Sequence, residues 1–175
     1  MINGVLHPKN VVAQLVRQGV SHYVTLPDSE TAHMYDALLA ESSITVVPVS
    51  REGEAIPVAA GLFVAGQKPV ISIQNAGLFE AGDALRGLGI GIGLPLVMFI
   101  GYRGHNRKGD TPDSAAVFLE PYLHLWRVYY FVVESDEDLD RIPLAFEKAA
   151  RINQPFAVAI GTEYAKEDGS EDRRQ

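Results

Sequence analysis

The stretch SREGEAIPVAAGLFVAGQKPVISIQNAGL, Ser50 to Leu78, decides the fold. Two acids, Glu52 and Glu54, open a run of small and apolar residues that ends at Gly66. Acids suit the positive end of a helix, so a helix is expected to start here, with Pro57 in its first turns. PVISIQ, residues 69–74, is short, apolar and β-branched, and reads as a strand. Ser72 and Gln74 are its only polar residues, and like the other apolar blocks it is expected to be buried on both faces, as in a parallel sheet covered by helices on each side.

The same alternation of blocks runs through the chain. Further strands are expected at residues 22–26, 44–49, 94–101, 128–133 and 155–160. A first helix follows Pro8 and carries Val11, Val12, Leu15 and Val16 at helical spacing. A second spans PDSETAHMYDALLAE, with Ser29 as its N-cap and Tyr35, Leu38 and Leu39 facing inward. AGLFEAGDALRGLGIG reads as a helix weakened by glycines, and AAVFLEPYLHLW as one interrupted by Pro121. SDEDLDRIPLAFEKAARIN starts with Ser135 as cap and acids in the first turn, followed by Leu139, Ile142, Leu144, Phe146 and Ala149. The longest loop is YRGHNRKGDTPDS, residues 102–114. The expected fold is therefore α/β, a three-layer sandwich with a six-stranded, mostly parallel sheet. One domain spans residues 1–164, and the charged segment AKEDGSEDRRQ, residues 165–175, is expected to be a disordered tail.

Composition narrows the function. The 175 residues are 47% hydrophobic and 21% charged, as in a soluble globular protein with a real core. A net charge of -7 argues against a general nucleic-acid binder, which needs clustered Lys and Arg. Cysteine is absent, which removes disulfides and thiolate chemistry. No apolar run reaches the roughly 20 residues of a membrane span. The N-terminus, MINGVLHPKN, has no basic start followed by an apolar block, so no secretory leader is expected and a cytoplasmic location is.

In sheets of this kind ligands lie beyond the carboxyl ends of the strands. Polar groups are concentrated there, at Leu26–Ser29, Ser50–Glu52, Gln74–Gly77 and Gly101–Gly104. Each has two readings. Glu52 and Glu54 complement a helix dipole, or one of them does chemistry. Asn75 bonds its own backbone in a turn, or its amide clamps a ring edge or carboxylate. Arg103, Arg107 and Lys108 are a solvated loop, or forks for a carboxylate, sulfonate or phosphonate, with Arg103 nearest the strand end. GLGIGIG, residues 87–93, precedes a strand, whereas a dinucleotide fingerprint must follow one. The histidines, at 7, 22, 33, 105 and 124, lack metal-ligand spacing, and no GxSxG is present, so no metal site and no hydrolase elbow is expected.

Four motifs taken together resemble one family. Glu52-Gly53-Glu54-Ala55-Ile56, Gln67-Lys68-Pro69, Gln74-Asn75-Ala76-Gly77-Leu78 and Pro95 through Gly104 follow the order seen in the pyrimidine-binding domain of thiamine-diphosphate-dependent 2-oxo-acid decarboxylases. The likeness is nearest to sulfopyruvate decarboxylase alpha subunits and the N-terminal half of phosphonopyruvate decarboxylases, and covers about residues 8 to 160. GVSHYVTLPDSE also resembles their GVPDS turn. The resemblance implies that Glu52 faces N1′ of the cofactor's aminopyrimidine and supports its activation. It places Asn75 and Gly77 beside the cofactor. It places Asp28, Ser29, Asn75 and Arg103 around a 2-oxo acid bearing a second anionic group. The family's Ser becomes Ala76, its GLGN becomes Gly77-Leu78-Phe79-Glu80, which puts an acid in place of a neutral amide, and the region after Arg103 is only loosely similar. The family's GDG motif, which holds the diphosphate and Mg²⁺, is absent. The resemblance thus implies half an active site. A partner beta subunit would carry GDG and the Mg²⁺, and this chain would also self-associate. The alternatives are a non-catalytic interaction or regulatory domain of the same fold, or a nucleotide-binding Rossmann protein.

Overall fold

A computed structural model describes residues 4–28 and 32–166. Six strands, β1 (His22–Thr25), β2 (Thr45–Pro48), β3 (Pro69–Gln74), β4 (Val97–Gly101), β5 (Tyr129–Val133) and β6 (Phe156–Ile160), form one sheet in the order β2-β1-β3-β4-β6-β5. Every pairing is parallel, with Thr25 beside Ser72, Ser72 beside Phe99, and Phe99 beside Val158. The expected architecture is present, and the sheet is wholly rather than mostly parallel. Strand order reverses between β1 and β3, which opens a crevice at their carboxyl ends.

Two cores explain the unbroken apolar strands. Val97, Phe99, Phe156 and Val158 face α1 (Pro8–Arg17), α2 (Ala32–Leu39) and α7 (Arg141–Ile152). The alternate residues Ile71, Ile73, Met98, Ile100, Ala157 and Ala159 face α3 (Glu52–Val64), α4 (Asn75–Glu80) and α6 (Ser114–Leu125). On α7, Ile142, Ala145, Phe146 and Ala149 make the buried stripe; burying a side chain such as Ile142 contributes about 1.5–3 kcal/mol. Glu120 ties α6 to the sheet by accepting from the hydroxyls of Tyr102, at 3.1 Å, and Tyr130, at 2.5 Å. Burial, then the Glu120 charge, pushes the Tyr102 phenol up to about 12, so it remains a donor at neutral pH. No helix among the described residues is long and apolar enough to cross a membrane.

Several local expectations are corrected. The glycine-weakened helix is three pieces: α4, the short α5 (Gly82–Ala84) and a π-helical turn, Leu85–Ile90. α6 runs unbroken through Pro121, because the carbonyl that loses its bond belongs to Val117 on the exposed side of the helix. Leu39 points to solvent; Met34, Ala37 and Leu38 hold the inner face of α2. Ser135 makes no capping hydrogen bond and is buried against Gly4. Its following acids form a separate 3-10 turn, Asp136–Asp138, and α7 starts only at Arg141. The Ser29 cap, and all of the tail beyond Lys166, lie outside the described residues.

Candidate active site

The two acids at the head of α3 have different fates. Arg51 enters the helix in extended conformation and gives no side-chain cap. Glu54, in the first turn, reaches back and accepts from the Ser50 N–H at 3.0 Å. Glu54 therefore does the capping work. Glu52 is half-buried and makes no hydrogen bond or ion pair among the described residues. Its side chain lies on Gly77 of α4: a Cβ at residue 77 would stand 2.2 Å from Glu52 Cγ and 2.6 Å from Oε1. The missing side chain at Gly77 is the berth of the Glu52 carboxylate.

A reciprocal contact lies beside it. The Glu80 carboxylate rests on Gly53, where a Cβ would stand 2.7 Å from Oε2. Arg51 pairs with Glu80, so the acid that replaces the family's amide is matched by a cation on the neighbouring helix. The other departure, Ala76, is exposed.

Asn75 is fully buried with both ends of its amide engaged. Its Nδ2 donates to the Arg103 carbonyl at 2.9 Å, and its Oδ1 accepts from the Ala76 N–H at 2.9 Å. Asn75 thereby joins the head of α4 to the loop after β4. Arg103 donates from Nε to Asp113 Oδ2 at 3.0 Å and is 46% exposed, which leaves its outer edge available. Asp113 is also the N-cap of α6; the Ala115 N–H, then Arg103, holds its carboxyl below the ordinary range.

Arg103 lines a cavity of about 190 Å³ at the carboxyl ends of β3, β4 and β6, with Ser72 and Phe99 as floor and His105, Thr162 and Tyr164 as walls. Asp28, half-buried after β1, acts electrostatically on Tyr164 and on Tyr23. Burial first, then the neighbouring Tyr23 and the Asp28 charge, pushes the Tyr164 phenol well up. The structure thus groups Glu52, Gly77 and Asn75 along the α3–α4 junction, and Asn75 holds the loop whose Arg103 lines the strand-end cavity; Asp28 is not among that cavity's lining residues. Ser29 lies outside the described residues. Glu52 is not part of that cavity's lining.

Some polar residues here escaped the sequence reading. Asp113 was legible as an N-cap in TPDSAAVF. Glu134, directly after β5, pairs with His105 and Arg107; extending the strand-end rule to β5 would have found it. GLGIGIG forms the π-helical turn and the approach to β4, in keeping with its rejection as a fingerprint.

The chain is 24% identical over 160 residues to the sulfopyruvate decarboxylase subunit alpha of Methanococcus maripaludis, covering 90% of this chain and 96% of that one. It is 27% identical over 158 residues to the sulfopyruvate decarboxylase of Methanosarcina acetivorans, covering 89% of this chain and 40% of that one. The phosphonopyruvate decarboxylase of Streptomyces viridochromogenes is 28% identical over 104 residues, with 59% of this chain and 26% of that one covered. The family described as thiamine pyrophosphate enzyme, N-terminal TPP binding domain, matches residues 9–111. That match takes in more than half of the sequence, and the chain belongs to this family of thiamine pyrophosphate enzyme domains.

Proposed function

We propose that this chain is the alpha-type subunit of a thiamine-diphosphate-dependent decarboxylase, a carbon–carbon lyase, acting on a 2-oxo acid with a second anionic group such as sulfopyruvate. The observation that carries the proposal is the half-buried, unpartnered Glu52 carboxylate seated on Gly77. A carboxylate in a protein recess normally finds a partner within its own chain. One that has none is suited to a ligand donor, and a ring nitrogen of the aminopyrimidine fits that chemistry. A Cβ at residue 77 would fill the berth, so the residues present fit the pyrimidine half of the cofactor.

Thiamine diphosphate, when bound, supplies a nucleophilic carbon and an electron sink for the departing carboxylate. Glu52 holds and returns a proton at the pyrimidine nitrogen. Gly77 keeps the space in which it does so. Asn75 fixes the loop that carries Arg103, and the exposed edge of Arg103 meets the second anionic group of the substrate. Asp28, whose charge reaches Tyr164 of the cavity wall, is assigned to the substrate's side of the site. The diphosphate and Mg²⁺ belong to a beta subunit bearing GDG. The near-complete match to an alpha subunit, set against 40% coverage of a longer relative, supports a divided enzyme.

The Arg51–Glu80 pair favours a second reading, a domain that keeps the fold without the chemistry, because it sets an ion pair beside Glu52. Capture of a stoichiometric partner from native lysate, followed by CO₂ release from sulfopyruvate with added cofactor, tests the two. Glu52→Gln is expected to lower that release by about a hundredfold or more. Full activity in Glu52→Gln overturns the role of Glu52, and a complex that holds no cofactor and releases no CO₂ favours the second reading.

A further inference from the structure

The opposite rim of the sheet carries a cavity that the proposed reaction does not use. It measures about 360 Å³ and lies toward the amino ends of β5 and β6, away from the strand ends that hold Arg103. Tyr129 and Phe131 of β5, Phe156 of β6 and Ile152 of α7 give it an apolar lining, and Lys148 and Arg151 of α7 supply charge. The sequence accounts for this placement. Phe131 and Val133 join the core under α7, and strand alternation puts Tyr129 on the same face. β5 is an edge strand, and Tyr129 is 65% exposed there. Lys148, Arg151 and Ile152 follow at the three- and four-residue spacing that sets side chains on one face of a helix.

Two observations distinguish this recess from an unfinished edge of the core. Its floor is fixed: Phe156 is buried, and its ring centre lies 5.0 Å from that of Phe131 at an interplanar angle of 48°. Its cations are uncompensated. Lys148 Nζ stands 6.0 Å from the Phe131 ring centre, and Arg151 makes no hydrogen bond or ion pair among the described residues. Neither pairs with Glu147, the acid beside Lys148 on α7. The chain carries a net charge of -7, yet these two cations face aromatic walls and no carboxylate.

Each part selects one property of a ligand. The cations suit an anion, and the rings suit a flat apolar body. The volume is near the lower end of ordinary ligand pockets, which suits a small molecule. Lys148 lies close to the Phe131 ring, so a ligand ring packed there and an anion held by Lys148 must be joined by a short link. A nucleotide, whose phosphate stands a full sugar away from its base, does not meet that spacing. We propose that this cavity binds a compact aromatic acid, with its ring against Tyr129 and Phe131 and its carboxylate between Lys148 and Arg151. The inference does not rest on the decarboxylase reading, because none of these residues belongs to the Glu52–Gly77 berth or lines the cavity of Arg103.

Phenylacetate is the probe, titrated into the ¹⁵N-labelled full chain. Saturable shifts should appear at the amides of Tyr129, Phe131 and Arg151, with a dissociation constant of about 1 mM, ordinary for a ligand of this size. Acetate lacks the ring and benzyl alcohol lacks the charge, and each should bind at least about tenfold more weakly. Neither Lys148 nor Arg151 is buried, so Lys148→Gln and Arg151→Gln should leave the circular dichroism spectrum unchanged. Each should weaken phenylacetate by about threefold to tenfold, and the double variant by more. Shifts confined to residues around Arg103, or none that saturate below about 10 mM, overturn the site. Wild-type affinity in the double variant overturns the role of the cations, and equal binding of benzyl alcohol overturns the choice of an acid. The titration needs no cofactor or partner subunit, so its failure leaves the decarboxylase reading untouched.

Discussion

Adding one methyl group at residue 77 should silence the site while leaving the fold standing. In Gly77→Ala the new Cβ would start 2.2 Å from Glu52 Cγ. Ordinary contact begins at 3.4 Å, so the Glu52 side chain must retreat by about 1.2 Å. It can do so, because it is half-buried at the open end of a helix and bonded to nothing among the described residues. Alanine is also the better helix former by about 1 kcal/mol. Stability should therefore stay within about 1 kcal/mol of the wild type, and Tm within about 4 °C. Catalysis is less forgiving: a reacting group misplaced by about 1 Å costs on the order of a hundredfold in turnover. Circular dichroism on the isolated chain measures the first quantity, and CO₂ release by the reconstituted complex the second. A folded Gly77→Ala chain with turnover within about threefold of the wild type refutes the berth. A Tm loss of more than about 10 °C refutes the premise that Glu52 is free to move.

Glu54→Ala should cost about 0.5–1 kcal/mol through the lost bond to the Ser50 N–H, with turnover unchanged; a large fall in turnover would mean that the two acids have been assigned the wrong way round. Asp136 accepts from the His7 N–H and ring and from the Asn10 amide, at 2.7 to 2.9 Å. Burial pushes its carboxyl up, but these bonds outweigh burial and hold it below the ordinary range. A depressed folded value contributes stability that is present above the unfolded value, about 3.9, and is lost as pH falls through the folded one. Urea midpoints of wild type and Asp136→Asn should therefore converge on acidification, and a gap independent of pH contradicts the clamp. The Tyr23 hydroxyl is buried and makes no well-formed hydrogen bond among the described residues, with Ser72 a weak polar neighbour, so Tyr23→Phe should be neutral or stabilising by up to about 1 kcal/mol in guanidinium melts. A loss larger than that shows an unrecognised bond.

The sheet was legible because its strands carry little besides apolar residues. VMFI and FAVAI have no polar face, and only helices on both sides can cover such strands. Boundaries failed where a single backbone group decides. Pro95 has no N–H to give a ladder, and β4 begins only at Val97. Pro121 looked like a break, yet the carbonyl it leaves unpaired, that of Val117, falls on the outer face of α6, where water can serve it. Within the site, Glu52 was picked out by likeness to a family, and the structure adds what spacing does not encode: Glu54 is spent on the Ser50 N–H, and Gly77 is empty for Glu52. Glu134 meets His105 across 29 positions of sequence, a partnership that local patterns do not express.

The two ends of the described chain come together at the mouth of the site. Leu6 bridges to Tyr164 in parallel fashion, and the Ala165 N–H donates to the Leu6 carbonyl. Tyr164 lines the strand-end cavity, and Gly4 lines a neighbouring one of about 310 Å³ that shares His105 and Thr162 with it. For anyone engineering this protein, the corner has a practical meaning. An extension grafted before Gly4 or after Lys166 would leave the body beside both cavities. Joining those two positions by a linker, with new ends opened on another face, would clear the corner.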